Sequence, residues 1–237
     1  MRLERVRRRF ERAAAWPRVQ TLEPDSRWST LFLAPHPDDE AIWCGGLLAR
    51  VSSAGGVVDG VFLTDGVRDP ASEAALAARR RAEADESCRI LGVRRLERLG
   101  LPDGSLLAHV ETAADHVAAR LRAGTYSHVV CPWPYDWHDD HAATYRVLKR
   151  ALGRGPRAPR VILYEGWGTL EPNAAIAIDS VLEAKKRAIA AHRSQNEAQD
   201  FVSLGTALSR FRSTCIVGAT HAEAFFCLPA TELSRLA

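Results

Sequence analysis

An apolar run that ends abruptly in ionisable side chains, Leu31-Phe32-Leu33-Ala34-Pro35-His36-Pro37-Asp38-Asp39-Glu40, constrains this chain more than any other stretch. Residues 30–34 read as a short strand buried on both faces, and from Ala41 onward Ile42, Leu47 and Leu48 return at helical spacing. A strand that feeds a helix in an open α/β sheet has its carboxyl end where ligands bind, and the helix start presents free N–H groups to anions. His36, Asp38, Asp39 and Glu40 therefore mark a site rather than a loop.

The chemistry of those side chains narrows the site further. One imidazole and adjacent carboxylates offer nitrogen and hard oxygen ligands to a divalent ion such as Zn²⁺, with one carboxylate left over to handle a proton. A further ligand is available from Trp137-His138-Asp139-Asp140-His141, where two histidines three apart share one helix face. Two histidines and one aspartate leave a coordination position open to water, the pattern of a catalytic rather than a structural site. The residues alone do not say whether Asp38 or Asp39 is the ligand.

Residues 35–40 together with His138-Asp139-Asp140-His141 resemble the motifs of the LmbE-like, PIG-L-type zinc-dependent N-deacetylases. The likeness continues in residues 99–104, in Lys185 to Gln195 with its His192-Arg193-Ser194-Gln195 ending, and in Ala222-Glu223-Ala224-Phe225, covering most of residues 30–227 in order. The resemblance implies Zn²⁺ held by His36, Asp39 and His141, with Asp38 as general base. It also implies His138 steadying the transition state, with Asp140 orienting it, and Glu40 supporting the site. The implied reaction is metal-assisted removal of an N-acetyl group from an N-acetylglucosamine-type sugar or glycoconjugate, releasing acetate and the free amine. Trp137, Asp65, Arg68, His192 and Gln195 are the expected substrate-binding residues, and aromatic faces at Trp133, Trp137 and Trp167 suit sugar rings. Some sugar-deacetylating relatives carry a tyrosine where this chain has Asp136, which leaves Tyr135 as the neighbouring phenol.

The rest of the chain alternates strand and helix. Strands are expected near residues 57–64, 94–99, 128–131, 160–165 and 174–178, and helices over 73–91, 106–121 and a segment carrying 185–192 that Asp179 or Ser180 could cap. That order predicts an α/β fold, a Rossmann-like, mostly parallel sheet with helices on both faces. The expected organisation is a basic N-terminal helical extension over residues 1–22 and a single LmbE-like deacetylase domain over 23–237.

Charge bears on partners. Lys and Arg exceed Asp and Glu by three, and seven arginines against two glutamates in the first 20 residues supply more than that excess. A basic helix there could touch nucleic acid or an anionic membrane, but a solvated face packed through Leu3, Val6 and Phe10 is the expectation, with no nucleic-acid partner. Five scattered cysteines without a C-x-x-C pair, no apolar run of membrane-spanning length and no signal-peptide core lead to the expectation of a cytoplasmic protein with buried thiols. The sequence permits a homo-oligomer. Two competing readings are an amidase of the same fold cleaving a larger acyl or thiol-conjugate amide, and a non-catalytic binding protein using the arginine-rich terminus.

Overall fold

Alternate residues of the central strand serve two separate cores. In β2 (Ser29–Ala34), Phe32 and Ala34 enter one apolar cluster while Leu31 and Leu33 enter another. The same alternation runs through β5 (His128–Pro132) and β6 (Arg160–Tyr164), where Val130, Ile162 and Tyr164 face the first cluster and Val129, Cys131, Val161 and Leu163 the second. A strand with helices on both faces has no polar side, which explains the unbroken apolar runs.

The computed structural model describes residues 19–154 and 159–236. The remaining strands are β1 (Gln20–Thr21), β3 (Val57–Thr64), β4 (Arg95–Leu101), β7 (Ala174–Ala177) and β8 (Ala222–Pro229), and the sheet order is β1-β7-β8-β6-β5-β2-β3-β4. Strands β4, β3, β2, β5 and β6 are parallel neighbours; β8 runs antiparallel to both β6 and β7. The mostly parallel α/β sheet expected from the sequence is thus the sheet observed. The first cluster is covered by α1 (Asp39–Ile42), α2 (Gly45–Ser53), α3 (Ala74–Leu91), α6 (Leu182–Ala191) and α8 (Phe201–Arg212), and the second by α4 (Val110–Ala123) and α5 (Asp139–Leu152). A short α7 (Arg193–Asn196) follows α6.

Several boundaries differ from the sequence expectation for identifiable reasons. The helix after the first motif is broken at Trp43-Cys44 into α1 and α2, and β4 continues through Gly100 to Leu101. Asp179 does not cap α6, which starts at Leu182; its carboxylate instead accepts from the Thr220 hydroxyl and amide and the His221 amide, a partner some 40 residues away. Gly92 ends α3 at φ 77°, the left-handed C-terminal stop expected there. Of the basic extension expected over residues 1–22, residues 1–18 lie outside the described residues, while Gln20–Thr21 pair with Ala174 and Ala175 as an edge strand rather than helix. No helix among the described residues is long and apolar enough to cross a membrane.

Candidate active site

The site sits where β2 gives way to α1. Asp38 is the one non-glycine residue with positive φ among the described residues, at 136°. Such a conformation costs about 1–3 kcal/mol and persists only when its surroundings hold it. Here the Asp38 amide donates to Glu40 Oε2 at 3.0 Å, and its carbonyl accepts from the Ala41 and Ile42 amides, both at 3.0 Å. Arg80, reaching in from α3, donates to the Pro37 carbonyl at 2.9 Å and lies 3.3 Å from Asp38 Oδ2. The Glu40 carboxylate that receives the Asp38 amide is itself gripped by Ser87 Oγ at 2.6 Å and His192 Nε2 at 2.8 Å. His192 is thus a buried brace behind Asp38. Burial and the charge of Asp39 push the Asp38 carboxyl up to about 6, against the pull of Arg80.

Two imidazoles meet the two oxygens of one carboxylate. His36 Nδ1 is 3.2 Å from Asp39 Oδ2, and His141 Nε2 is 3.3 Å from Asp39 Oδ1. Each ring is held on its other nitrogen by outer carboxylates: His36 Nε2 faces Asp103 at 3.0 Å and Asp140 at 3.3 Å, and His141 Nδ1 faces Asp136 at 3.2 Å. Carboxylates that fix the far nitrogen of a histidine are the usual outer support of a metal ligand. His141 Nε2 is buried and has no hydrogen-bond partner among the described residues, despite its proximity to Asp39. Arg80 Nε is likewise buried without a partner among these residues, but it can only donate; an imidazole nitrogen left over beside a carboxylate is the feature a bound cation would explain. The donor set of two imidazoles and a carboxylate fits such an ion. Ligand atoms of His36, His138 and His141 also lie within 4.8 Å of one another, as do those of His36, Asp103 and Asp140.

The protonation pattern follows from these neighbours. Burial alone would raise the Asp39 carboxyl, but His141 and His36 hold it well below the usual range. Burial works against a charged His141, yet Asp39 and Asp136 raise it to about 9, and three aspartates raise His36 likewise. His138 goes the other way, lowered by burial and by the two neighbouring histidines. Its Nδ1 caps α5 by accepting the Asp140 amide at 3.3 Å, so the neutral ring carries its proton on Nε2.

A cavity of about 150 Å³ opens on this cluster. One wall is polar, with His36, Asp38, Asp39, Arg80, Asp103, His138 and Gln195; the other is Ile42, Trp43, Trp167 and Phe201. Trp167 meets Trp43 edge-on at 5.5 Å and Phe201 at 6.1 Å. A larger surface groove of about 730 Å³ lies elsewhere; its one acid, Glu111, is paired with Arg150 and Arg154, and it gathers no nucleophile or metal-ligand set.

Of the residues expected from sequence, His36, Asp38, Asp39, His138, Asp140 and His141 converge here. Asp140 is redirected: its carboxylate accepts from the Gly104 and Leu106 amides and faces His36, so it secures the 104–106 loop and His36 rather than His138. Gln195 lines the cavity; Trp137, Asp65, Arg68 and His192 do not. Trp137 is 76% exposed, Arg68 is exposed and the buried Asp65 is paired with Arg81. Tyr135, more than half exposed, packs on Trp133 and leaves the place beside His141 to Asp136. Arg80, Asp103 and Asp136 were missed as site residues. For Arg80 a signal existed: with Ala77, Ala84, Cys88 and Leu91 it shares the buried face of α3, which singles it out from Arg79 and Arg81.

Known proteins resemble the chain in sequence and in fold. A probable N-acetyl-α-D-glucosaminyl L-malate deacetylase of Bacillus cereus is 29% identical over 184 residues, 71% of this chain and 84% of the relative. The N,N′-diacetylchitobiose deacetylase of Pyrococcus horikoshii superposes with a TM-score of 0.75 at 28% identity, covering 86% of this chain and 85% of that one. The protein TT1542 of Thermus thermophilus gives the same TM-score at 31% identity, with 84% and 94% covered. Residues 31–152, just over half of the sequence and the part that holds both histidine motifs, match the family described as PIG-L: GlcNAc-PI de-N-acetylase, and the chain belongs to that family.

Proposed function

We propose that the chain is a metal-dependent amide hydrolase that removes the N-acetyl group from an N-acetylglucosamine-type sugar or glycoconjugate. The observation that carries the reading is the orphaned Nε2 of His141, set beside Asp39, whose chain neighbour is the strained, buried Asp38. A divalent cation such as Zn²⁺, held by His36, Asp39 and His141, would supply an acidified water and a polarised amide carbonyl.

The chain's own groups account for the remaining work. Asp38, in its ionised form, accepts the water's proton as the oxygen attacks the carbonyl carbon. His138, neutral and protonated on Nε2, donates toward the oxygen where negative charge develops. The proton held by Asp38 then passes to the nitrogen as the C–N bond breaks, leaving a free amine and acetic acid, which gives up its remaining proton to solvent as acetate. Arg80, Asp103 and Gln195 offer charged and polar partners for sugar hydroxyls, and the aromatic wall takes the apolar face of a ring or the acetyl methyl group. The acetylated sugars acted on by the named relatives support this substrate class.

Acetate release from a panel of N-acetylated sugars tests the reading. Asp38→Asn is expected to lower kcat by about 10²–10⁴-fold, the usual worth of a general base, and stripping with a chelator to abolish turnover. Turnover that survives in either control sinks the mechanism. A clear preference for acyl chains longer than acetyl would favour the amidase alternative.

A further inference from the structure

Trp43 interrupts the helix between α1 and α2, and its side chain does two things at once. The indole Nε1–H donates to Asp39 Oδ1 at 2.9 Å, the oxygen that also lies 3.3 Å from the orphaned His141 Nε2. Trp43 is only 5% exposed and its ring makes a T-shaped contact with Trp167, which in turn rests against Phe201. Asp39 Oδ2 receives its own outside donor, the His36 amide, at 2.9 Å. Both oxygens of the carboxylate are therefore tied, one by backbone and one by a side chain that is itself buried against a second indole.

We infer that Trp43 is a positioning residue for a cation-binding carboxylate, its indole N–H fixing the plane of Asp39 between His36 and His141. The inference rests on the cation reading of the site. A carboxylate has two freedoms that matter to a ligand, rotation about its own axis and a choice between one-oxygen and two-oxygen coordination. A donor on Oδ1 that cannot swing away restricts both. Its surroundings restrict the donor: turning the N–H off the carboxylate would mean moving a buried indole against the neighbouring Trp167 ring. The polar wall and the aromatic wall of the cavity are then not independent, because one side chain belongs to both.

The test separates the N–H from the ring. Trp43→Phe keeps an aromatic ring in the wall and removes the donor; replacement of Trp43 by benzothienylalanine, which puts sulfur where the indole has N–H, removes the donor at unchanged shape and keeps the test open should the phenylalanine variant fold poorly. Zn²⁺ affinity, measured by chelator competition without any substrate, is expected to fall about 10–100-fold in both, the range found for lost outer partners of metal ligands. The absorption bands of the Co²⁺-loaded protein should shift, and where a substrate is in hand kcat should fall with KM within twofold. Unchanged Zn²⁺ affinity in the benzothienylalanine protein, with the unsubstituted protein binding normally, overturns the role of Trp43 alone. A parent protein that binds no divalent cation overturns the reading beneath it. A parent that binds Zn²⁺ but hydrolyses no acetamide removes the substrate assignment and leaves Trp43 to be judged on affinity.

Discussion

Two buried charge clusters flank the α1–α2 break, and they are finished differently. On one side Lys185 Nζ meets Glu223 Oε1 at 2.6 Å, both side chains 3% exposed or less, while the Gly46 and Leu47 amides at the start of α2 donate to the two oxygens of Glu223 at 2.7 Å each. A carboxylate at a helix N-terminus with a lysine behind it satisfies charge, dipole and hydrogen-bonding capacity together. Gly46 is what lets it approach, since a Cβ there would come within 2.8 Å of Glu223 Oε1. On the other side, the cluster around Asp39 keeps one imidazole nitrogen without a hydrogen-bond partner among the described residues and a carboxylate on strained backbone. The first cluster closes a fold. The second is left open, as a binding site must be.

The sharpest way to break the contrast is to remove a member of the closed cluster. Glu223→Ala leaves a buried ammonium and two helix-start amides unpaired, and is expected to cost about 3–5 kcal/mol in urea unfolding. Lys185→Met leaves Glu223 with both amides and should cost less. Equal losses would mean that the amide contacts carry little of the stability.

The open cluster predicts the reverse pattern, in which stability depends on what is added. Saturating Zn²⁺ at about 1,000 times its Kd should stabilise the protein by about 4 kcal/mol, read as a rise in Tm that a chelator reverses. His141→Ala should abolish that rise. A variant that still gains Tm from Zn²⁺ would move the cation elsewhere, the His36, Asp103 and Asp140 group being the next arrangement to probe.

How much of this was legible before folding depends on distance along the chain. The strands at residues 30–34 and 57–64 were readable because burial on both faces writes itself as a dense apolar run, interrupted in the second only by Asp59-Gly60, and β3 is found at Val57–Thr64 as expected. That His36, Asp38, Asp39 and His141 lie together was readable because their two motifs match a known pattern. Roles made by contact were not. The helical spacing that puts Arg80 rather than Arg79 or Arg81 on the buried face names none of their partners: Arg79 reaches Glu83 and Glu197, Arg81 reaches Asp65, and Arg80 turns inward to Asp38. Asp136 looked like a missing tyrosine and instead holds His141, five residues on. The bond from Trp43 to Asp39 follows from the helix break at residues 43–44, at which only the Gly45-Gly46 pair beyond it hints.

A histidine outside both clusters supplies the smallest effect and the cleanest control. His128, at the opposite end of β5 from the site, stacks on Trp28 with ring centroids 3.7 Å apart and has Ser127 Oγ at 2.8 Å from Nδ1. Burial and then the charge of Arg160 lower it to about 4, whereas Asp39 and Asp136 carry His141 to about 9. Below pH 6.5 the unfolded chain binds a proton at residue 128 that the folded chain refuses until about pH 4. The stability due to the neutral, stacked ring is therefore complete above pH 6.5 and is lost as pH falls toward 4. His128→Phe keeps a stacked ring that cannot titrate, so at pH 7 it should change stability by no more than about 1 kcal/mol, the worth of one hydrogen bond. Between pH 6.5 and 4 the variant should lose less stability than the parent protein, and its Tm response to Zn²⁺ should be unaltered. Parallel pH profiles for the two proteins would show that ring charging at residue 128 is not what the acid side of the stability curve records, and a changed Zn²⁺ response would mean that the two ends of β5 are coupled rather than independent.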